Sequence, residues 1–464
     1  VSIEDFGVVN DPNGQFIAEN TAAYLAAIAR VNGQARLRHR AGLSVMVSSI
    51  LMPSSGAVFI EHDGILKLAP AVNGPLIQLN GSGFTMRGSG VLDGNKAAQT
   101  GAGSGCAGIN AGSSGASDID VEGITIQNTY AWPVNGTGFK NAYFRYLLVQ
   151  NCTNSFEFAS GADNCWLLYS KLIGIPDDTV AFYQGVTNSG AIGNEITNGG
   201  AYGVIVLTDA AGAALSSNIT VAFNKMYNMS AGAFGAVVQG TASGVHTDID
   251  VSHNQAFNNC QSSSTPFDFY LAHTQGITAI GNKARQTAYQ ATDTQERYGM
   301  LIDSTVSDFV ANSNRFQDIG SPSAPGVGLF FGGAVGGVAS GNLVTCTTGK
   351  MSYAYAGSAG LGTIAQGNGA RGPFVSSNAW NVTGQLAGAA QPITITGSSL
   401  IYDAPVPGTF VFSGGTITSG SFVRNGVSSP LGPTQGHIPM FTGDQISLNF
   451  TAAPTAYFLP GGTA

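Results

Sequence analysis

Charged side chains are scarce in this sequence. Asp, Glu, Lys and Arg make up 9% of its 464 residues, against roughly 25% in an ordinary soluble protein. The net charge is −8, which argues against a nucleic-acid partner on electrostatic grounds. The one basic cluster, Arg36, Arg38, His39 and Arg40, reads as a solvated strand edge rather than a binding patch. No run reaches the roughly 18 apolar residues that would span a bilayer, so no membrane partner is expected. The sequence opens at Val1 on a polar segment in which no signal peptide is visible, leaving a mature, truncated or otherwise exported chain all open. Five cysteines (Cys106, Cys152, Cys165, Cys260 and Cys346) contain no CxxC pair, so neither a zinc site nor a dithiol centre is indicated. Their odd number leaves at least one thiol unpaired, and the redox compartment stays open.

What is abundant is glycine, 65 residues, about twice the usual share of roughly 7%. Disorder would require few large apolar residues, yet 25 Phe and 15 Tyr are spread along the chain with many Val, Ile and Leu. Short strands joined by many tight turns fit this composition.

A repeat supports that reading. From about residue 140 a short apolar run ends in Asn, a polar turn follows, and a second apolar run comes after it. The asparagines are Asn194, Asn224, Asn254, Asn282, Asn314, Asn342 and Asn368, at spacings of 30, 30, 28, 32, 28 and 26 residues. The second runs begin at Phe156, Val180, Val204, Ala236, Phe269, Met300 and Leu329. A period of this length with two or three strands per repeat predicts an all-β, right-handed parallel β-helix, one coil per repeat. Asn at a fixed turn would stack coil on coil and satisfy backbone groups through its amide. A Leu-dominated solenoid and a propeller both fit less well.

The ends differ from the middle. Asn20 and Thr21 are expected to cap a short amphipathic helix carrying Tyr24, Leu25 and Ile28, which would cover the open first coil. This gives an N-terminal cap over 1–35 and a β-helix over 36–400, irregular at first (36–115). Pro405 and Pro407 mark a linker to a small β module over 405–464, with strands around 409–413 and 445–450.

Three resemblances follow from motifs. The opening, with Asp5, Phe6, Gly7, Asn20, Thr21, Ala22 and Ala23, resembles the first segment of pectate-lyase-superfamily β-helices and of phage tailspike depolymerases. The run NSFEF, then GIPDDTVAF, then GGAYGVIV is similar to the three catalytic coils of polygalacturonases. On that resemblance Asp177 and Asp178 match the family's aspartate pair. Asn154 stands where the family has a third aspartate, and Tyr202 where it has histidine. The family's basic substrate clamp would fall near 236–238, where this sequence has no basic residue. The C-terminal FTGDQISLNFTAAPTAYFLP is similar to terminal modules that aid trimer assembly or sugar contact. Together these imply an extracellular protein, secreted or carried on a virion, that acts on a polysaccharide.

Hydrolysis of a glycosidic bond wants two carboxyl groups, one protonated and one ionised. Adjacent Asp177 and Asp178 place like charges together, which pushes one pKa up. Glu157, on the outward face one coil below, completes a catalytic set of Asp177, Asp178 and Glu157. The alternative is that the two aspartates only form an Asx turn after Pro176. Lyase chemistry would instead ask for a base, with His246, His253 and His273 as candidates. Asp248 and Asp250, on the outward face of one strand, could bind calcium; no metal site or other cofactor is otherwise indicated. Asn154, Tyr183, Tyr202, Tyr270, His273 and Asp303 are the candidate substrate-binding residues, the tyrosines because aromatic faces stack on sugar rings.

The outward positions of the second runs read Glu157, Ala181, Ile205, Val237, Tyr270, Leu301 and Phe330. A solvated sheet face should be polar here, and such a stripe is too apolar to stay wet. A homotrimer burying it along a shared axis is the expectation. The function expected is depolymerisation of a polysaccharide by carboxylate acid/base hydrolysis, ahead of β-elimination. The competing reading is a non-catalytic glycan-binding spike or adhesin.

Overall fold

The computed structural model describes residues 1–460 apart from 32, 102–105, 112–114, 262–265, 288–294, 322, 376–379, 388–390, 396, 405–407, 425, 432–435 and 441–442. Most of the chain winds as a parallel β-solenoid of about 12 turns. Pairing begins with Arg36–His39 on Val58–His62 and continues, strand on parallel strand, to Met351–Gln366 on Trp380–Ala387. The early coils are therefore as regular in their pairing as the later ones. One flank is a 13-stranded parallel sheet of three- and four-residue strands such as Lys171–Ile173 and Glu195–Thr197.

Each coil turns its corners in left-handed backbone, which explains the composition. Asp118, Asn141, Asn164, Asn188 and Asn218 share one corner with φ of 50–54°. Asn128, Asn151, Asn198, Asn228 and Asn258 share another at 52–57°. Asn and Asp are the side chains that tolerate this region at least cost, after glycine. The third corner is shared by Gly123, Gly193 and Gly281 with Tyr146, Tyr169, Phe223 and His253. Gly193 lies against the ring of Tyr169, where an added Cβ would come within 2.5 Å.

The asparagine column is a continuous ladder. Oδ1 of Asn254 accepts both the N–H and the Nδ2–H of Asn224, at 3.0 Å each. Nδ2 of Asn254 donates to the carbonyl of Val221 and to Oδ1 of Asn282. The same pattern links Asn194, Asn224, Asn254, Asn282, Asn314, Asn342 and Asn368. In the first coil beyond the ladder, the N–H of Ser170 donates to Oδ1 of Asn194.

Inside, Phe156, Phe158, Phe182, Phe234 and Phe269 are fully buried, and Phe158 and Phe182 sit 5.9 Å apart on successive coils. All five cysteines are buried.

The helix Ile17–Val31 packs Tyr24, Ala27, Ile28 and Val31 onto the first coil. Asn20 and Thr21 do not cap it, because the helix begins one turn earlier. The carboxylate of Asp11 instead accepts the N–H groups of Gln15 and Phe16, at 2.7 Å each. Oδ1 of Asn20 takes the N–H of Val9, and the Thr21 hydroxyl accepts the N–H of Ser48. The two residues thus tie the helix down mid-length. Among the described residues no helix is long and apolar enough to cross a membrane.

The C-terminal module consists of two four-stranded antiparallel sheets around Phe410, Phe412, Ile446, Leu448, Phe450 and Phe458. Gln391–Ile393 pairs with Thr455–Pro460, and Ser399–Asp403 with Gln445–Ala452, so this sheet pairing starts upstream of residue 405. Pro405 and Pro407 lie outside the described residues.

Candidate active site

Strand register decides which side chains can meet. Phe156 pairs with Val180 and Val180 with Val204. Asn154, Asp178 and Tyr202, each two residues earlier, therefore occupy one turn position on three successive coils. Phe234 and Phe269 continue the column, which places Gly232 and then Phe267 at that same level.

The second run assigned to Ala236 is out of step by two residues, since Val204 pairs with Phe234. The outward row is consequently Glu157, Ala181, Ile205, Gly235, Tyr270, Leu301 and Phe330. Val237 belongs to a parallel row with Tyr183 and Leu207. Gly235 has a role here: the ring of Tyr202 lies over it, 3.2 Å from where a Cβ would be. Tyr202 and Ala231 cover Ile205, which is buried. The apolar stripe is thus partly covered from within the chain. Ile205 and Leu301 are buried, while Leu207, Val237, Tyr270 and Phe330 remain half-buried.

Three carboxyl groups gather at the start of this groove. Asp177 is exposed, and its Oδ2 lies 3.5 Å from the donating hydroxyl of Ser155. Asp178 is half-buried, its Oδ1 accepting the N–H of Tyr202 at 2.9 Å. Burial pushes the Asp178 carboxyl up to about 6, against the Tyr202 bond; the charge of Asp177 pushes it further up. Glu157 is half-buried, with Nε1 of Trp132 donating to its Oε2 at 3.3 Å. Burial raises Glu157 to about 7; the Trp132 bond opposes this and the charge of Asp177 adds to it. Asp177 links the set electrostatically, since its charge raises both Glu157 and Asp178.

Beside them opens a cavity of about 380 Å³ lined by Asp178, Tyr202, Leu207, Gln239, Phe267 and Tyr270, among others. Phe267 stacks on Tyr270 with centroids 4.8 Å apart and on Tyr298 at 5.4 Å. The Tyr183 hydroxyl donates to Asp209 at 2.6 Å, on the far side of Glu157. Sequence reasoning missed Trp132, Phe267, Gln239 and Gly235. Trp132, a large side chain in a short turn one coil before Glu157, was the signal available.

Other candidates lie elsewhere. Asp303 ends the strand Tyr298–Asp303 and His273 follows the strand Phe267–Leu271, at the C-terminal ends of the strands, whereas Asp178 precedes the start of Val180–Tyr183. The Asp303 carboxylate accepts the N–H and hydroxyl of Thr305, closing a local turn. His246 is fully buried, held by the N–H of Ser216 and the carbonyl of Val237. His253 stacks on Phe223 at 5.0 Å, at a corner away from the carboxyls. None of the three histidines is placed to serve as a base there. Asp248 takes a corner position with φ of 54° while Asp250 stays on the strand. Among the described residues no three His, Cys, Asp or Glu side chains converge as a metal-binding group.

No family model matches the chain, and no curated protein matches its sequence. Its architecture does have counterparts. The tailspike protein of E. coli bacteriophage HK620, solved in complex with pentasaccharide, superposes with a TM-score of 0.53 at 16% identity, over 97% of this chain and 93% of that one. The A-module of a mannuronan C-5 epimerase from Azotobacter vinelandii superposes with a TM-score of 0.55 at 14% identity, over 83% of this chain and 99% of that one. The chain has the tailspike and epimerase fold. The pectate-lyase-like β-helix expected from the opening motif is thereby met at the level of architecture.

Proposed function

We propose that this chain is a polysaccharide depolymerase that hydrolyses a glycosidic bond at Glu157, Asp177 and Asp178. The observation that carries the reading is the pair of upward-shifted carboxyls, Glu157 and Asp178, beside a cavity walled by Tyr202, Phe267 and Tyr270. Glu157, protonated near neutrality and steadied by Trp132, is the general acid that gives its proton to the leaving oxygen. Asp178, ionised above about pH 6, is the base that takes a proton from water, with Asp177 setting the local field. The aromatic rings stack on sugar faces and hold the chain across the carboxyls. Among the described residues Asp178 is the one charged side chain lining the cavity, an environment that suits hydrolysis better than abstraction of a proton from a uronate.

The tailspike likeness, one of whose members was solved with a bound oligosaccharide, supports a glycan as ligand and a place outside the cell, secreted or on a virion. A homotrimer fits the half-buried Leu207, Val237, Tyr270 and Phe330, with the C-terminal module clamping the three chains. A second reading, a non-catalytic glycan-gripping spike, is favoured by one contact: the N–H of Tyr202 already engages Asp178 as it would in a structural turn.

The deciding experiment is a screen of bacterial capsules and of acidic plant and algal polysaccharides. It is read by new reducing ends and by the ultraviolet absorbance of an unsaturated product. Reducing ends without that absorbance is the expected result. Unsaturated product would replace hydrolysis by elimination, and binding without any cleavage would favour the spike.

A further inference from the structure

A second cleft lies on the other flank of the solenoid, outside the carboxyl site. It has a volume of about 450 Å³ and is lined by Lys67, Asp93, Asn95, Lys96, Asn128 and Asn151, among others. Lys67 sits on the outward face of Ile65–Leu68, directly beside Asp93 on the next coil. Lys96 follows from the loop that rises after Asp93. In a chain with only 18 basic residues, two ammonium groups sharing one cleft is a concentration of positive charge.

The single carboxylate in the cleft is already committed to neutral donors. Oδ1 of Asp93 accepts the N–H of Asn95 at 2.8 Å, and Oδ2 accepts Nδ2 of Asn128 and Nε2 of Gln127 at 3.0 Å each. Among the described residues neither lysine forms an ion pair, whereas Lys171 pairs with Glu195 at 2.8 Å on the same flank. The cleft therefore carries two ammonium groups against one carboxylate that pairs with neither, a net positive charge.

Its location relative to the carboxyls follows from register. Gln150 pairs with Ile173, so the Asn151 corner lies one coil, about 4.8 Å, from the Gly174 corner. Asp177 comes three residues after Gly174. The Asn151 edge of the cleft thus borders the turn that carries the carboxyls. Lys67 and the loop carrying Asp93 and Lys96 lie four and three coils further toward the N-terminus, about 14–19 Å at one strand spacing per coil. The aromatic cavity lies on the C-terminal side. At the carboxyl site itself, three acidic groups disfavour an anionic sugar.

We propose that Lys67 and Lys96 form a subsite for an anionic substituent, a carboxylate or a sulfate, on the glycan that crosses Asp177 and Asp178. The inference rests on the glycan reading above and deepens it: the ligand is an acidic heteropolysaccharide. Its charge sits on a sugar upstream of the bond presented to Glu157, with a neutral sugar at the bond itself.

The test is affinity electrophoresis of the full chain in native gels containing one polymer at a time. Suitable polymers are a panel of acidic bacterial exopolysaccharides carrying uronates, dextran sulfate, and neutral dextran. The expected result is retardation by at least one acidic polymer, weakened by added salt, with dextran inert. Retardation by uronate polymers identifies a carboxylate, and by dextran sulfate alone a sulfate. Lys67→Gln/Lys96→Gln should weaken it about fivefold or more, and Lys67→Arg/Lys96→Arg, which keeps the charge, should retain it and so control for folding. Asp178→Asn should be retarded like the wild type while losing cleavage. Equal retardation of the Gln variant, or none of the wild type by any acidic polymer, overturns the subsite. Unchanged cleavage by Asp178→Asn overturns the catalytic reading instead and leaves the subsite standing.

Discussion

The main-chain N–H of Tyr202 donates to Oδ1 of Asp178 at 2.9 Å, so a carboxyl on one coil is pinned by the backbone of the next. The bond fixes the carboxyl at the groove without consuming its second oxygen, and it creates a test that separates chemistry from architecture.

Asp178→Asn keeps an oxygen that can accept the Tyr202 N–H but cannot act as a base. Turnover should fall by about 10²–10⁴-fold. The melting temperature near pH 7 should hold or rise, because the upward-shifted pKa means the folded state disfavours the ionised form there. Kinetics and thermal unfolding on the same preparation check both. A large loss of stability would instead mark Asp178 as a turn residue.

The rate should depend on pH as a narrow bell. Catalysis needs Glu157 protonated, a form lost as pH rises through about 7. It also needs Asp178 ionised, a form lost as pH falls through about 6. A profile of kcat/KM peaking between those values is expected, and a profile flat across both would rule out these roles.

Gly235→Val should act on binding. The new side chain would press on the Tyr202 ring, already 3.2 Å from the Cβ position, and tilt it into the cavity. KM should rise severalfold with a smaller change in kcat. An unaltered KM would show that Tyr202 does not wall the subsite in use.

Asn254→Ala should be the costly change among the turns. It strips the acceptor from the buried N–H of Asn224 and the donor from the carbonyl of Val221. At about 1–3 kcal/mol for each orphaned group, the loss is about 2–6 kcal/mol in denaturant unfolding. Asn228 is exposed in a left-handed corner. Asn228→Gly there should change stability by less than about 1 kcal/mol, and equal effects would refute the ladder's energetic role.

The assembly prediction concerns Leu207, Val237, Tyr270 and Phe330. Light scattering on the intact chain should report three times 47.3 kDa, and Val237→Asp should reduce that to one chain. A wild-type monomer as stable as its Val237→Asp variant would show that the row needs no partner.

Much of the solenoid was legible because it is chemically periodic. A ladder in which each Asn bonds the next can tolerate no other side chain without orphaning a buried group, so its spacing is written in the sequence from Asn194 to Asn368. The adjacent aspartates were legible too, as two carboxyls in one short turn. The helix cap was misread because Asp11, a loop residue several positions earlier, supplies the capping oxygens that Asn20 and Thr21 would have supplied.

The outward face was the part that could not be read. From Val180 to Val204, to Phe234, to Phe269 the register advances 24, 30 and then 35 residues, because the connections between strands lengthen, first after Thr208 and then after Phe257. A shift of two residues preserves which side chains point outward, so alternation alone could not reveal that Gly235, and not Val237, faces Ile205. The sequence by itself determined the coil, its corners and its ladder, since those depend on local backbone preference and on one repeated hydrogen-bond pattern. Only the tertiary structure decided which outward residues share a groove, that His273 and Asp303 stand apart from Asp178, and that Lys67 and Lys96 line one cleft, because those proximities depend on strand register and on turn lengths from coil to coil.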